Sequence, residues 1–67
     1  MISFAPLWKT LEKKSITQYQ LINHYGVSTG TLDALRKNKS VTLNTIQDLC
    51  QILNCQISDV VEILLDE

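Results

Sequence analysis

The sequence predicts an all-α fold of five short helices forming one domain over residues 1–67. Three observations predict it. A helix-start signature repeats three times between residues 16 and 46: a β-branched apolar residue, then Ser or Thr, then Leu or Ile four positions after the hydroxyl. Apolar residues recur at helical spacing behind those starts. No stretch alternates apolar and polar residues with the two-residue period of an exposed sheet.

The elements follow in order. Pro6 suits the first turn of a helix, where its missing amide leaves nothing unsatisfied, and Leu7, Trp8 and Leu11 give a helix over 6–14 its apolar side. Ile16-Thr17 followed by Leu21 opens the second helix, 18–25. The Thr17 hydroxyl can accept from a first-turn amide, Ile16 and Leu21 form a hydrophobic staple, and Gln20 completes a capping box. Val27-Ser28 with Leu32 opens the third, 29–37, and Val41-Thr42 with Ile46 the fourth, 43–53. Ile46, Leu49, Cys50 and Leu53 then fall on one face. Val60, Ile63 and Leu64, behind a cap at Ser58, predict a fifth helix over 59–65. Between the second and third helices lies Gly26, one residue past the expected helix end, where a left-handed backbone is wanted. A turn this tight makes the two helices cross steeply. Leu21, Ile22, Tyr25, Val27, Leu32 and Leu35 are available to fill the angle.

Composition limits the function classes. An apolar content of 45% is that of a globular chain. No apolar run is long enough to span a membrane, and Met1-Ile2-Ser3-Phe4 lacks the basic head and apolar run of a signal peptide. A cytoplasmic protein is expected, and a chain that starts on Met and stops just after its last predicted helix reads as complete rather than as a fragment. Cys50 and Cys55 are too few for a secreted disulfide scaffold. With the distant His24 they fall short of a structural zinc site, so both are read as small buried apolar groups, with redox sensing as the other reading. No cofactor or metal is expected. The net charge of −1 hides an asymmetry: residues 1–41 carry all six basic groups (Lys9, Lys13, Lys14, Arg36, Lys37, Lys39) against Glu12 and Asp33, while 42–67 carry five acids and no base. One face suited to phosphates follows from that split.

An enzyme is not expected. There is no phosphate-cradling glycine loop, and Cys50 lies within an apolar helix face, a poor place for a thiolate. His24, near the end of a helix on its polar side, reads as a dipole partner rather than a base.

Residues 17–37, T-Q-Y-Q-L-I-N-H-Y-G-V-S-T-G-T-L-D-A-L-R-K, resemble the helix-turn-helix of the lambda-repressor-like (Cro/XRE-type) DNA-binding domains. The likeness extends over nearly the whole chain. It includes the exit Arg36-Lys37-Asn38-Lys39 and the ending Leu53-Asn54-Cys55-Gln56-Ile57-Ser58-Asp59-Val60-Val61, similar to the "L-x-C-x-x-x-D-I-I" end of small regulators of that family. The resemblance implies a five-helix regulator that binds double-stranded DNA with its third helix in the major groove. It implies that Thr29, Gly30 and Ala34, with Asp33 beside them, face base edges. Thr17 and Gln18 would meet phosphate through a hydroxyl, an amide and the helix N-terminus; Lys37, Asn38 and Lys39 would clamp phosphates after the third helix; Thr42 and Asn44 would do likewise at the start of the fourth. Such domains often bind as dimers, and the apolar surplus of the C-terminal helix (Val60, Val61, Ile63, Leu64, Leu65) is where a homodimer is expected.

The sequence departs from the family pattern twice. Ile22 stands where the motif usually has alanine. Gly30 and Ala34 have no side chain long enough for a bidentate base contact; Thr29 offers at most a methyl contact, and Asp33 accepts from a cytosine amino group but repels phosphate. Small residues favour deep seating and shape readout. They equally fit a protein-interaction module on the same fold, such as an antitoxin or accessory factor, which the acidic C-terminal part also favours.

Overall fold

The computed structural model describes residues 1–65, so Asp66 and Glu67, two acids of the expected C-terminal charge, lie outside the described residues. A short strand β1 (Ile2–Ser3) leads into helix α1 (Ala5–Lys13). Helices α2 (Gln18–Asn23), α3 (Thr29–Arg36) and α4 (Leu43–Leu53) follow, then a 3₁₀ turn (Ile57–Asp59) and strand β2 (Glu62–Ile63). The strands pair antiparallel, with Ile2 opposite Ile63 and Ser3 opposite Glu62.

The expected helix starts are present. Thr17, Ser28 and Thr42 each stand in extended backbone and accept from the amide three residues on, Gln20 N at 3.1 Å, Thr31 N at 3.1 Å and Thr45 N at 3.2 Å. In α2 the box closes both ways, because Gln20 Oε1 accepts from Thr17 N at 2.9 Å. Each staple pairs a buried residue (Leu21, Leu32, Ile46) with a half-buried one packed on the core (Ile16, Val27, Val41). With Phe4, Leu7, Leu11, Leu35, Leu49, Leu53 and Val60 they make the hydrophobic core. Pro6 occupies the first turn of α1 as expected.

Helix ends were less visible beforehand. All four helices stop against a residue of positive φ: Ser15 (58°), Gly26 (75°), Asn38 (55°) and Asn54 (51°). Only Gly26 was anticipated. At the other three the paired bonds of a Schellman motif satisfy the last carbonyls: Ser15 N to Glu12 O with Ile16 N to Leu11 O, Asn38 N to Leu35 O with Lys39 N to Ala34 O, Asn54 N to Gln51 O with Cys55 N to Cys50 O. Helix α2 ends earlier than expected, at Asn23, and His24 and Tyr25 belong to its exit; Tyr25 is exposed and does not fill the angle between α2 and α3.

The fifth helix is absent, and so is the purely α architecture. Asp59 Oδ2 accepts from Gln56 N at 3.1 Å, which sets a 3₁₀ turn two residues ahead of the expected start, and Ser58 lies inside that turn rather than capping a helix. The β-branched residues Val60, Val61 and Ile63 favour extended backbone, and the N-terminal residues supply a partner. Leu64 N donates to Met1 O at 2.8 Å and Met1 N to Leu64 O at 2.9 Å. Of the three residues expected to share an inner helix face, Val60 alone is buried; Ile63 and Leu64 are exposed. A C-terminal helix therefore cannot carry the expected dimer.

Two buried or half-buried polar links lock this ribbon to the helices. Thr10 Oγ1 donates to Asp59 O at 2.6 Å, tying α1 to the 3₁₀ turn. Asn38 Oδ1 accepts from Phe4 N at 2.9 Å, tying the exit of α3 to the entry of α1. Asn38→Gly keeps the left-handed stop and loses only the bond to Phe4, an expected loss of about 1 kcal/mol. Asn38→Ala loses the same bond and keeps a Cβ in the left-handed region without asparagine's tolerance of it, so it is expected to be about 1–2 kcal/mol less stable than Asn38→Gly. Urea unfolding of the two variants checks the order wild type, Asn38→Gly, Asn38→Ala; equal stability of the two variants would remove the backbone half of this account.

Candidate nucleic-acid interface

The buried side of α3 is fixed by Leu32 and Leu35, so at 100° per residue Gly30, Asp33 and Lys37 point the other way. Thr29, Gly30, Asp33 and Lys37 are exposed, and Ala34 is half-buried at the margin of that face. A Cβ built on Gly30 meets nothing within 4 Å, and its backbone is ordinary helix. Packing within the chain therefore gives no reason for glycine there.

Four of the expected DNA-facing residues, Asp33, Lys37, Gln18 and Asn38, are already engaged. Lys37 Nζ sits 3.0 Å from Asp33 Oδ2, one helical turn away. The hydrogen bond from Lys37, and then its charge, hold the Asp33 carboxyl below its ordinary range. Gln18, half-buried at the start of α2, accepts from Arg36 Nε at 2.8 Å. Asn38 gives its carbonyl oxygen to Phe4, which leaves its amide NH₂ as the side-chain donor.

The other expected residues are less constrained. Thr17 and Thr42 use their hydroxyl oxygens as caps. The Thr17 proton stays available to an outside acceptor; Thr42 shares its hydroxyl with Thr45 at 3.2 Å. Thr29, Lys39 and Asn44 are exposed.

Sequence reading missed three side chains. Arg36 follows Thr29 by seven residues and so lies on the same flank of α3, the one that faces Gln18. Tyr19 and Leu43 are exposed immediately behind the caps of α2 and α4. Their outward position was available from the staples, since Leu21 and Ile46 define the inner face of each first turn.

The alternatives to a binding face are thin. Burial, and then the neighbouring Cys50, push the Cys55 thiol above its ordinary value, the opposite of a reactive thiolate. The His24 ring packs edge-on to Tyr25 with centroids 4.9 Å apart. Among the described residues no three His, Cys, Asp or Glu side chains gather as metal ligands, and no helix is long and apolar enough to cross a membrane. An open groove of about 470 Å³ lies between the α2–α3 turn and α4, lined by Val27, Thr31, Asp48 and Ile52 among others; none of the residues expected to face DNA lines it.

Residues 6–66 match the family model of the Cro/C1-type HTH DNA-binding domain. The crystal structure of the transcriptional regulator VanUg (form II) is similar throughout, with a TM-score of 0.87 and 34% identity over 97% of this chain and 87% of that one. No curated protein matches the sequence.

Two outcomes follow from the geometry of α3. Gly30→Ala is expected to stabilise the fold by about 0.5–1 kcal/mol through helix propensity alone, as thermal melting would show; destabilisation would mean that the space over Gly30 is not open. An NMR titration should place the Asp33 midpoint below that of an ordinary aspartate, moving up in Lys37→Ala and in high salt. Because the folded value is the lower one, the small stabilisation from this exposed pair is present above the ordinary aspartate range and is lost as pH falls through the folded midpoint.

Proposed function

The chain belongs to the Cro/C1-type HTH DNA-binding domains, and from that premise we propose that it is a sequence-specific transcriptional regulator that sets α3 into the major groove of duplex DNA. The observation that carries this reading is the outer face of α3. It has no packing role in the chain, it is relieved of a side chain at Gly30, and it ends in the cations Arg36, Lys37 and Lys39. Thr29, Gly30, Asp33 and Ala34 then lie toward base edges. Thr17, Gln18, Lys37, Asn38, Lys39, Thr42 and Asn44 are the phosphate-facing set, with Asn38 acting through its NH₂ and Lys37 exchanging Asp33 for phosphate. Phosphate contacts position the domain and base contacts specify its site. The family supports a non-enzymatic role, and the proposed setting is the cytoplasm of a bacterium or phage host.

The proposed second copy would pair at the ribbon instead of on a terminal helix. Since Met1 and Leu64 exchange both backbone bonds, the N–H and C=O of Ile63 point away from β1. Among the described residues that edge of β2 is unpaired, and Ile63 and Leu65 beside it are 63% and 86% exposed. A twofold-related β2 can pair there antiparallel, and twofold symmetry is what a palindromic operator demands.

The protein-interaction reading has one observation in its favour: Asp33 and Lys37 neutralise each other on the very face that would meet phosphate. Fluorescence anisotropy with a short mixed-sequence duplex at about 50 and 200 mM salt separates the two. A DNA regulator should bind more weakly at the higher salt, and Lys37→Ala/Lys39→Ala should reduce the slope of log K against log salt by about 2. No binding at low salt by the folded protein would transfer the assignment to a protein partner. Sedimentation of the wild type and Ile63→Lys tests the ribbon: a dimer that becomes a monomer is expected, and an unchanged dimer would place the contact elsewhere.

A further inference from the structure

Gln18 and Arg36 lie at opposite ends of the helix-turn-helix in sequence, the first residue of α2 and the last of α3, yet their side chains meet at 2.8 Å. A carboxamide is ambivalent toward phosphate: its NH₂ donates, its oxygen repels. A guanidinium has donors only. Whatever meets Arg36 Nε must therefore be the Gln18 oxygen, and the orientation of the amide follows from chemistry. The NH₂ is left on the other side. The bond occupies one of the five N–H groups of Arg36, leaving four. Among the described residues no carboxylate lies within ion-pair distance of the guanidinium; Asp33, one turn before it, pairs with Lys37. Its charge stays unneutralised at the seam between α2 and α3.

We propose that Arg36 is a positioning residue for DNA binding: it holds the Gln18 oxygen inward so that the Gln18 NH₂ is presented to a phosphate, and its own terminal N–H groups contact the backbone at the same seam. The inference rests on the DNA-binding reading above. It goes beyond it by assigning a role to a residue outside the phosphate-facing set and by fixing which end of Gln18 serves the ligand. An exposed bond of this kind contributes little to holding the fold together, so its loss should register in binding rather than in melting temperature.

The test is a double-mutant cycle on duplex affinity across a salt series with Arg36→Ala, Gln18→Ala and the double variant, with Arg36→Lys as the conservative control. Melting temperatures are expected to stay close to that of the wild type. Arg36→Ala should weaken binding roughly tenfold and reduce the salt slope by about one phosphate's worth, 0.9. Gln18→Ala should weaken binding less and leave the slope unchanged. The double variant should be no weaker than Arg36→Ala, because without Arg36 the Gln18 amide is no longer aimed. Arg36→Lys should keep the slope but recover only part of the affinity. Wild-type-like affinity of Arg36→Ala, or losses that simply multiply in the double variant, would overturn the proposal while leaving the DNA-binding reading intact. Failure of the wild type to bind any duplex would overturn that reading and this one together.

Discussion

The architecture depends on how each helix stops. Four helices separated by connections of only a few residues need abrupt changes of chain direction, and each change is made at a single left-handed residue, Ser15, Gly26, Asn38 or Asn54. A left-handed stop satisfies the last carbonyls of the helix internally and delivers the next residue to the core. Ile16, Val27 and Cys55 follow Ser15, Gly26 and Asn54 directly, and all three pack against the core. Two of them, Ile16 and Val27, are also the outer members of the next helix's staple. One local conformation thus ends a helix and prepares the start of the following one. That is how four helices and a ribbon fit within 67 residues.

Asn38 shows how such a stop becomes a joint between distant parts. Its backbone closes α3, and its side chain holds the amide of Phe4 at the entry to α1. Phe4 is buried and follows β1, which pairs with β2. The exit of α3 is therefore connected through one hydrogen bond and one core side chain to the ribbon proposed as the contact between copies. In a dimeric regulator the spacing of the two reading heads has to match the helical repeat of DNA, about 34–36 Å. A short, bonded path from ribbon to α3 is a way of fixing that spacing, which a loose tail could not do.

What was legible in the sequence divides along the range of the interactions. Starts were legible because a cap and a staple are completed within five residues, and Thr17, Ser28 and Thr42 behave as read. Ends were legible only at Gly26; Ser15, Asn38 and Asn54 reach the same conformation with side chains that have many other uses. The C-terminal segment was misread because the spacing of Val60, Ile63 and Leu64 suits a helix as well as the observed turn and strand. The deciding partner, Met1 to Ser3, lies about sixty residues away in the chain. The same division holds on the outer face of α3. The resemblance grouped Thr29, Gly30, Asp33 and Ala34, of which the first three are exposed and Ala34 is half-buried, but it could not show that Lys37 is held by Asp33, Asn38 by Phe4 and Gln18 by Arg36. Two of those three depend on contacts between separate elements.

Those engagements bear on how specificity arises. Long polar side chains that read base edges do so by offering unoccupied donors and acceptors. On this α3 the outer face offers a hydroxyl at Thr29, a carboxylate already neutralised at Asp33, and no polar group at Gly30 or Ala34. The strong unpaired donors lie at its edges, on Arg36 and Lys39, where they suit phosphate and not bases. On the proposed reading, a helix so arranged would approach the groove floor closely because little stands out from it, and its affinity would reside in the flanks. Its preference among sequences would then come from which duplexes accept that close approach with both phosphate walls in reach, a matter of groove width and deformability. On that reading Gly30 is the residue whose enlargement would change DNA binding most for the smallest change in the fold: added bulk would stabilise α3 while holding it away from the proposed DNA surface.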